Sequence, residues 1–164
     1  MSAPAQRAFV GVGANLGDAQ AAVRAALQAL GRLPQTQRVA CSSLYRSAPV
    51  DAEGPDFVNA VAELHTALSP LQLLHRLQAI EQDFGRVRAA RNAPRTLDLD
   101  LLLLGPLVLQ GEELTLPHPR LHLRAFVLRP LAELDAALVL PGLGALQPWL
   151  RRCAQQAVER IGAA

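Results

Sequence analysis

Hydrophobic and polar positions follow two different periods along this chain, and each period predicts one kind of element. Residues 8–13 (AFVGVG) form a short apolar run that is typical of a buried strand. Apolar residues then recur at helical spacing up to Leu30. Asp18 is the expected N-cap of this helix, and Gly31 is its expected stop. The chain therefore opens with a strand followed by a helix.

The middle of the chain predicts two strands and a second helix. Residues 37–46 and 56–66 carry strand-forming residues and are joined by a turn-rich segment, so we expect them to pair as antiparallel neighbours. Ser69 and Gln72 have the spacing of a capping box, which predicts the start of a helix. Gly85 follows the last apolar position of that helix and is its expected end.

The last third of the chain predicts a strand and more helix. Residues 97–104 (LDLDLLLL) are typical of a strand with at least one fully buried face. An apolar stripe from Leu150 to Ile161 predicts a final helix. This order of elements predicts an α+β fold with a ferredoxin-like core of antiparallel sheet and helices and a C-terminal helical addition. We expect a single domain over residues 1–164.

Composition and charge narrow the classes of function. The net charge is only +2 and aromatic residues make up 4% of the chain, which disfavours a nucleic-acid partner. All sixteen basic residues are arginines, and the lack of lysine excludes a P-loop. The longest apolar run is interrupted by Gly105 and Pro106, and the chain shows no signal pattern, so we expect no membrane partner and a cytoplasmic location. Cys41 and Cys153 match no disulfide or zinc spacing, and nothing predicts an obligate oligomer, so we expect a monomer.

Two aspartates in the strand 97–104 are the main candidates for chemistry. Strand alternation places Asp98 and Asp100 on one face, with Cβ atoms about 7 Å apart. Leu102 and Leu104 continue the same face, which therefore becomes apolar directly after the carboxylates. A strand with one solvated face is the simpler explanation, but aspartate is depleted in strands. The pattern favours a site for a hard divalent cation.

Basic and polar side chains flank these aspartates in the sequence. Four arginines occur within ten residues that contain no acidic residue, and phosphate oxygens are the natural partners of such a cluster. They are Arg86, Arg88, Arg91 and Arg95. A solvated basic loop is the alternative, although the neighbouring carboxylates favour a metal–triphosphate site. Gln78 and Glu81 flank the apolar stripe of the preceding helix and could reach the same cleft.

Other candidates suit a flat heterocycle and an anion. Phe57 and Asn59 share one strand face, where an aromatic ring can stack on a heterocycle and an amide can bind its edge, although core packing is the simpler role for Phe57. His118 lies between two prolines that hold the backbone extended, and Arg124 follows six residues later. A lone histidine is more often structural, but this rigid setting suits a donor to phosphate.

These motifs together resemble the 6-hydroxymethyl-7,8-dihydropterin pyrophosphokinase family over residues 9 to about 135. The segments that carry the resemblance are GVGANLGD at 11–18, SSLYRSAPV at 42–50, DFVNAV at 56–61, PRTLDLDLLLLG at 94–105 and LPHPRLHLRAFVLRPLAEL at 116–134. The resemblance implies transfer of pyrophosphate from ATP to the pterin hydroxymethyl group in folate biosynthesis, with AMP as the second product. The chain departs from the family pattern at Asn92 and Ala93, where an aromatic residue and a glycine are common.

The same resemblance implies roles for individual residues. Two magnesium ions would be held by Asp98 and Asp100. Charge that develops during transfer would be neutralised by Arg86, Arg88 and Arg95. ATP, the co-substrate, would be contacted by Gln78, Glu81, Arg88, Arg95, Thr115, His118 and Arg124. The pterin would be bound by Ser47, Val50, Phe57, Asn59 and Phe126.

Two other classes of function remain open at this stage. An RNA-binding ferredoxin-like module could use the arginine loop, but it would need exposed aromatic residues on its central strands. A nucleotidyltransferase could share the paired aspartates while releasing pyrophosphate instead of AMP. The identity of the nucleotide product separates the nucleotidyltransferase from a pyrophosphokinase.

Overall fold

The computed structural model describes residues 4–49, 54–89 and 97–164, with side chains described up to residue 84 in the second range. The strands of this part of the chain are β1 Gln6–Ala14, β2 Thr36–Cys41, β3 Leu44–Ser47, β4 Phe57–Thr66, β5 Asp98–Leu104, β6 Leu109–Gln110, β7 Thr115–Leu116, β8 Val139–Leu140, β9 Gly144–Ala145 and β10 Val158–Gly162. The helices are α1 Ala19–Leu30, α2 Pro70–Ala89, α3 Ala125–Leu134 and α4 Leu146–Arg152, with a 3-10 turn at Leu121–Leu123.

A single antiparallel sheet forms the centre of the described chain. Its strand order is β10-β3-β4-β1-β5, and β2 also pairs with β4. The predicted strand 37–46 is in fact two strands, because the chain bends at Ser42. The Ser42 hydroxyl accepts a hydrogen bond from the Val61 amide, and the Ser42 amide donates to the Val61 carbonyl. The antiparallel pairing that we expected is confirmed.

Helices cover the two faces of the sheet unequally. On one face, α1 and α2 pack along the sheet, and buried residues such as Val23 and Leu27 contribute about 1.5 to 3 kcal/mol each. Asp18 caps α1 by accepting from the Ala21 amide at 3.0 Å, as predicted. On the other face, α3 packs on β3 and β4, α4 packs against α3, and both helices share an apolar cluster with residues at one end of β1, β4 and β5. The uncovered part of that face is where the candidate site lies.

Two predicted helix boundaries are wrong. The capping box of α2 forms as expected, with Ser69 and Gln72 bonded to each other's amides at 3.2 and 2.9 Å. The helix then continues through Gly85 to Ala89 instead of ending at the glycine, because an interior glycine costs only about 1 kcal/mol. The predicted final helix ends at Arg152, and residues 158–162 form β10 beside β3.

A β-bulge changes the faces of β5. Phe9 pairs with Leu103 and Val10 pairs with Leu101, so Leu102 is an extra residue in the strand. Leu102 stays on the face of the aspartates, as predicted, but Leu104 packs into the core under α1 and α2. The prediction that Leu104 shares the aspartate face is therefore wrong, because one inserted residue reverses the alternation.

Candidate active site

The candidate site is a cleft of about 240 Å³ on the sheet face that α3 leaves uncovered. Its floor is formed by β1, β4 and β5, and one wall is formed by the start of α3. Predicted residues that the structure brings together along this cleft are Ser47, Phe57, Asn59, Asp98, Asp100, Arg124 and Phe126. They come from four elements and the residue before α3, so only the folded chain assembles them.

Two glycines on β1 lie between the rows of polar side chains. Gly13 pairs with Asn59 on one side and with Asp98 on the other, while Gly11 pairs with Asp100. Successive strands are about 4.8 Å apart, so Asn59 and Asp98 stand about 10 Å apart across the floor. Because glycine has no side chain, the space between the amide and the carboxylate remains open.

The two aspartates share one face of β5, as the sequence predicts. Both line the cleft, both are half-buried, and 47% of the Asp100 side chain is exposed. They stand next to an apolar residue, Leu102, which also lines the cleft. Two carboxylates at the end of an otherwise apolar strand suit a hard cation that also binds a ligand in the cleft.

Glu81 of α2 holds β5 in place between these aspartates. Its Oε2 accepts a hydrogen bond of 2.8 Å from the amide of Leu99. β5 is the last strand at its end of the described sheet, so this amide points away from β1 toward the helix. The contact therefore fixes the peptide that separates Asp98 from Asp100.

A buried polar pair forms the far end of the floor. The Asn59 side-chain amide donates to the Ser47 hydroxyl at 2.7 Å, and both residues are buried. The bond fixes the orientation of the Asn59 side chain, since a buried amide is costly to leave unpaired. Phe57 lies on the same face of β4, and Phe126 faces the cleft from α3. The Arg124 guanidinium stands over the Phe126 ring, 5.5 Å from its centroid.

His118 is held beside Asp100 by its own backbone. Its amide donates to the Leu102 carbonyl at 2.9 Å, and its Nδ1 accepts from the Arg120 amide at 3.2 Å. Its Nε2 lies 3.9 Å from Asp100 Oδ1. Burial lowers the pKa of His118 and, with the repulsion of Arg124 and Arg120, outweighs the attraction of Asp100. Because Nδ1 accepts from the Arg120 amide, a neutral His118 ring carries its proton on Nε2, which faces the aspartate.

Several predicted residues are not gathered at the cleft. Among the residues that the structure describes, Gln78 is exposed on α2 and Thr115 lies in β7, and neither lines the cleft. The backbone places Arg86 and Arg88 in the last turns of α2, but their side chains lie outside the described set. Arg95 and Val50 also lie outside the described residues. The roles expected of these residues stay predictions.

Sequence reasoning missed the floor of the site. Gly11 and Gly13 lie in β1, as the predicted strand 8–13 requires, but no role in the site is predicted for them from the sequence motifs. Their spacing of two residues was the available signal, since it places both on one face of a strand. The contact of Glu81 with β5 joins distant parts of the chain and has no local signal.

Comparison with known proteins shows the family of the chain. The model of the family described as 7,8-dihydro-6-hydroxymethylpterin-pyrophosphokinase (HPPK) matches residues 9–136, which is most of the chain. The chain belongs to the HPPK family. The expected resemblance and the enzyme class, an ATP-dependent pyrophosphokinase, are thereby confirmed.

Relatives in two bacteria support the assignment over nearly the whole chain. A protein named 2-amino-4-hydroxy-6-hydroxymethyldihydropteridine pyrophosphokinase in Pseudomonas aeruginosa is 48% identical over 157 residues, which cover 95% of this chain and 97% of the relative. A protein of the same name in Haemophilus influenzae is 48% identical over 135 residues, covering 82% and 84%.

Solved structures support the fold. A wild-type HPPK-DHPS chain from Plasmodium falciparum matches with a TM-score of 0.71 at 12% identity, over 90% of this chain. This HPPK-family chain spans 44% of the length of that larger chain. The expected α+β class with an antiparallel sheet is confirmed. In the ranges that the structure describes, no helix is both long enough and apolar enough to cross a bilayer.

Proposed function

We propose that this HPPK-family enzyme carries out its reaction in the cleft above Gly11 and Gly13. The hydroxymethyl oxygen of 6-hydroxymethyl-7,8-dihydropterin attacks the β-phosphorus of ATP and forms a new O–P bond. The bond from the β-phosphorus to the oxygen that bridges the α- and β-phosphates breaks, AMP leaves with that oxygen, and the hydroxyl proton is released. The observation that carries this proposal is one cleft lined by a carboxylate pair and by an aromatic and amide pair, about 10 Å apart across the strands.

The donor set of the cleft fits magnesium. Asp98 and Asp100 offer two carboxylates on one face, and phosphate oxygens and water would complete the shell of each of the two ions that we propose. When bound, magnesium neutralises charge on the triphosphate and makes its phosphorus more electrophilic. The bond from Leu99 to Glu81 keeps the strand that carries both carboxylates from shifting as a ligand binds.

The pterin suits the opposite end of the cleft. Phe57 and Phe126 offer aromatic faces from β4 and α3, which is the arrangement that stacks on a flat ring. Asn59, oriented by Ser47, presents an amide to the edge of the ring. Stacking and edge recognition together orient the hydroxymethyl group across Gly13 toward the aspartates.

Cationic and neutral donors suit the triphosphate. Arg124 lines the cleft over Phe126, and the Nε2 proton of His118 faces the carboxylate of Asp100. We include Arg86, Arg88 and Arg95 as further cations for the phosphates, and Gln78 and Thr115 as ATP contacts, on the strength of the family pattern. A donor that stays neutral, such as His118, hydrogen-bonds to a phosphate oxygen without repelling the arginines.

We propose a cytoplasmic monomer that acts on small molecules, without nucleic-acid or membrane partners. A net charge of +2 and a cleft of about 240 Å³ suit small anionic substrates better than an extended polyanion.

Two substitutions separate the two ends of the cleft. Asp98→Asn should reduce turnover by about a hundredfold or more, because it removes charge stabilisation in the transition state, while the dissociation constant of the pterin changes little. Asn59→Ala should weaken pterin binding by about tenfold, because the edge hydrogen bond is lost. Calorimetric titration with the pterin, combined with steady-state turnover, checks both. Near-normal turnover in Asp98→Asn, or unchanged pterin affinity in Asn59→Ala, would overturn the placement.

A further inference from the structure

The C-terminal segment of residues 153–162, here called the C-terminal strap, contacts the far end of the cleft floor and the wall formed by α3. It lies beyond the residues 9–136 that the family model matches. Its strand β10 pairs with β3, and Val158 stands opposite Ser47, the residue that orients Asn59. Its first half runs beside the start of α3, which carries Phe126.

Gln156 joins the strap to the start of α3 by two hydrogen bonds. Its Oε1 accepts from the amide of Ala125 at 2.9 Å, and its Nε2 donates to the carbonyl of Leu123 at 2.8 Å. Ala125 is the first residue of α3, so its amide is one of the donors that a helix cannot pair internally. Gln156 therefore pairs the groups on both sides of the residue that lines the cleft, Arg124.

The start of α3 needs this partner because its own N-cap position cannot serve. Arg124 precedes the helix, and a guanidinium carries only donors, so it cannot accept from a helix amide. The acceptor instead comes from a residue 31 positions later in the chain. The cap of α3 is therefore a long-range contact, and the position of the helix start depends on the position of the C-terminal strap.

A second contact fixes the same segment. The buried thiol of Cys153 lies 3.9 Å from the carbonyl of His122, in the turn that leads into α3. The ring of His122 packs edge-on against Trp149, with ring centroids 4.8 Å apart. The turn is thus packed against α4 and the C-terminal strap. Gln156 holds the part of this segment that is nearest to Phe126.

We propose that Gln156 is a positioning residue for the pterin: it fixes the start of α3 and so holds Phe126 at the depth in the cleft where its ring stacks on the heterocycle. The inference rests on the proposed placement of the pterin against Phe126. Because the aspartates lie on β5, away from the strap, Gln156 acts on binding of the pterin and not on the transfer step.

The test compares Gln156→Ala with Gln155→Ala in the full chain; both glutamines are exposed, but the two contacts with the start of α3 come from Gln156. The first readout is amide hydrogen exchange over residues 121–128, which needs no ligand. The second is the pterin dissociation constant by calorimetry, with kcat at saturating pterin as the third. Thermal unfolding of each variant accompanies these measurements.

We expect Gln156→Ala to speed exchange at Ala125 and to raise the pterin dissociation constant by about three- to tenfold, the range for one or two lost hydrogen bonds. Turnover at saturating pterin should stay within about twofold, and Gln155→Ala should match the wild type. Unchanged exchange at Ala125 would overturn the anchoring contact. Faster exchange with unchanged pterin affinity, or a general loss of thermal stability with equal losses of affinity and turnover, would overturn the positioning role.

A different result marks failure of the proposed function itself. Wild-type protein that does not bind the pterin would contradict the placement of the substrate, and with it the positioning role. The exchange measurement on Ala125 would still decide whether Gln156 anchors α3, because it involves no ligand.

Discussion

At the scale of single residues, Gly13 keeps open the space between the paired aspartates and the end of the cleft proposed for the pterin. A Cβ at this position would lie 3.2 Å from Asn59 Oδ1 and 4.0 Å from a ring carbon of Phe57. Asn59 cannot retreat easily, because it is bonded to buried Ser47. The proposed site therefore requires the absence of a side chain at Gly13 as well as the side chains around it.

Gly13→Ala should weaken pterin binding by about tenfold, because the methyl group crowds Asn59 and projects from the floor, and overpacking of this kind costs about 1 to 3 kcal/mol. Calorimetric titration with the pterin measures this effect. Gly11→Ala is the matched comparison, since its Cβ would meet Leu102 at an ordinary distance of 3.5 Å. Equal effects of the two substitutions on pterin affinity would contradict the role of Gly13.

Glu81 is the residue whose function the sequence places least well. The family resemblance implies that Glu81 contacts ATP, whereas its carboxylate accepts a hydrogen bond from the Leu99 amide, between the two aspartates. The sequence shows the helix face but not the strand that packs against it. Only the packing of α2 against β5 in the folded chain shows that a helix side chain can stabilise the geometry of the carboxylate pair.

Glu81→Ala should reduce turnover by about tenfold and speed amide exchange at Leu99, because a hydrogen bond to a charged acceptor contributes about 1.5 to 3 kcal/mol. The exchange rate distinguishes this role from a direct contact with ATP. Gln82→Ala, at the next position and exposed, is the control. Normal exchange at Leu99 combined with weaker ATP binding would show that Glu81 acts on the nucleotide instead.

At the scale of elements, α3 is fastened to the sheet near its C-terminal end by Glu133. The carboxylate accepts from the amide and the hydroxyl of Ser43 and from the hydroxyl of Tyr45, at 2.6 to 3.1 Å. Partial burial works against ionisation, but these hydrogen bonds prevail and lower the pKa of Glu133. Burial and the bond to Glu133 raise the pKa of Tyr45 to about 12.

Glu133→Gln should lower the free energy of unfolding at pH 7 by about 1 kcal/mol, which is below the usual range for charged hydrogen bonds because Glu133 is largely exposed. Because folding lowers the pKa of Glu133, its ionised carboxylate stabilises the folded protein at pH values above its ordinary pKa of 4.5. This contribution to the free energy of unfolding is lost as the pH falls through the lowered pKa of the folded state. Urea unfolding of both proteins from pH 7 to pH 3 should therefore show a difference that shrinks in acid. A difference independent of pH would contradict the ionised role of Glu133.

The elements that sequence patterns predict are those whose signals are local. Helix α1 has its cap at Asp18 and its stop at Gly31, and both act within a few residues. The predicted final helix fails after Arg152 because spaced apolar residues also suit a strand, and pairing with β3 decides between the two. The bulge at Leu102 is invisible in a run of leucines, since no polar residue marks the change of face.

At the scale of the whole molecule, the two ends of the sheet face that α3 partly covers differ in their contacts. At one end, Arg7 bonds to Glu63 of β4 and to Asp135 just after α3, at 3.0 and 2.9 Å. At the other end, the start of α3 forms a wall of the cleft. Motifs in the sequence predict most of the residues at the cleft, because each motif is local, but not the contacts that hold α3 and the C-terminal strap around them.

The measurement that tests this account most directly is the identity of the nucleotide product. Purified protein is incubated with 6-hydroxymethyl-7,8-dihydropterin, ATP and magnesium, and the nucleotides are separated by chromatography, with a parallel reaction in excess chelator. We predict AMP and pterin diphosphate in equal amounts, formed only when the pterin and the metal are present. ADP, release of pyrophosphate, or undiminished AMP formation in chelator would contradict pyrophosphoryl transfer assisted by the paired aspartates.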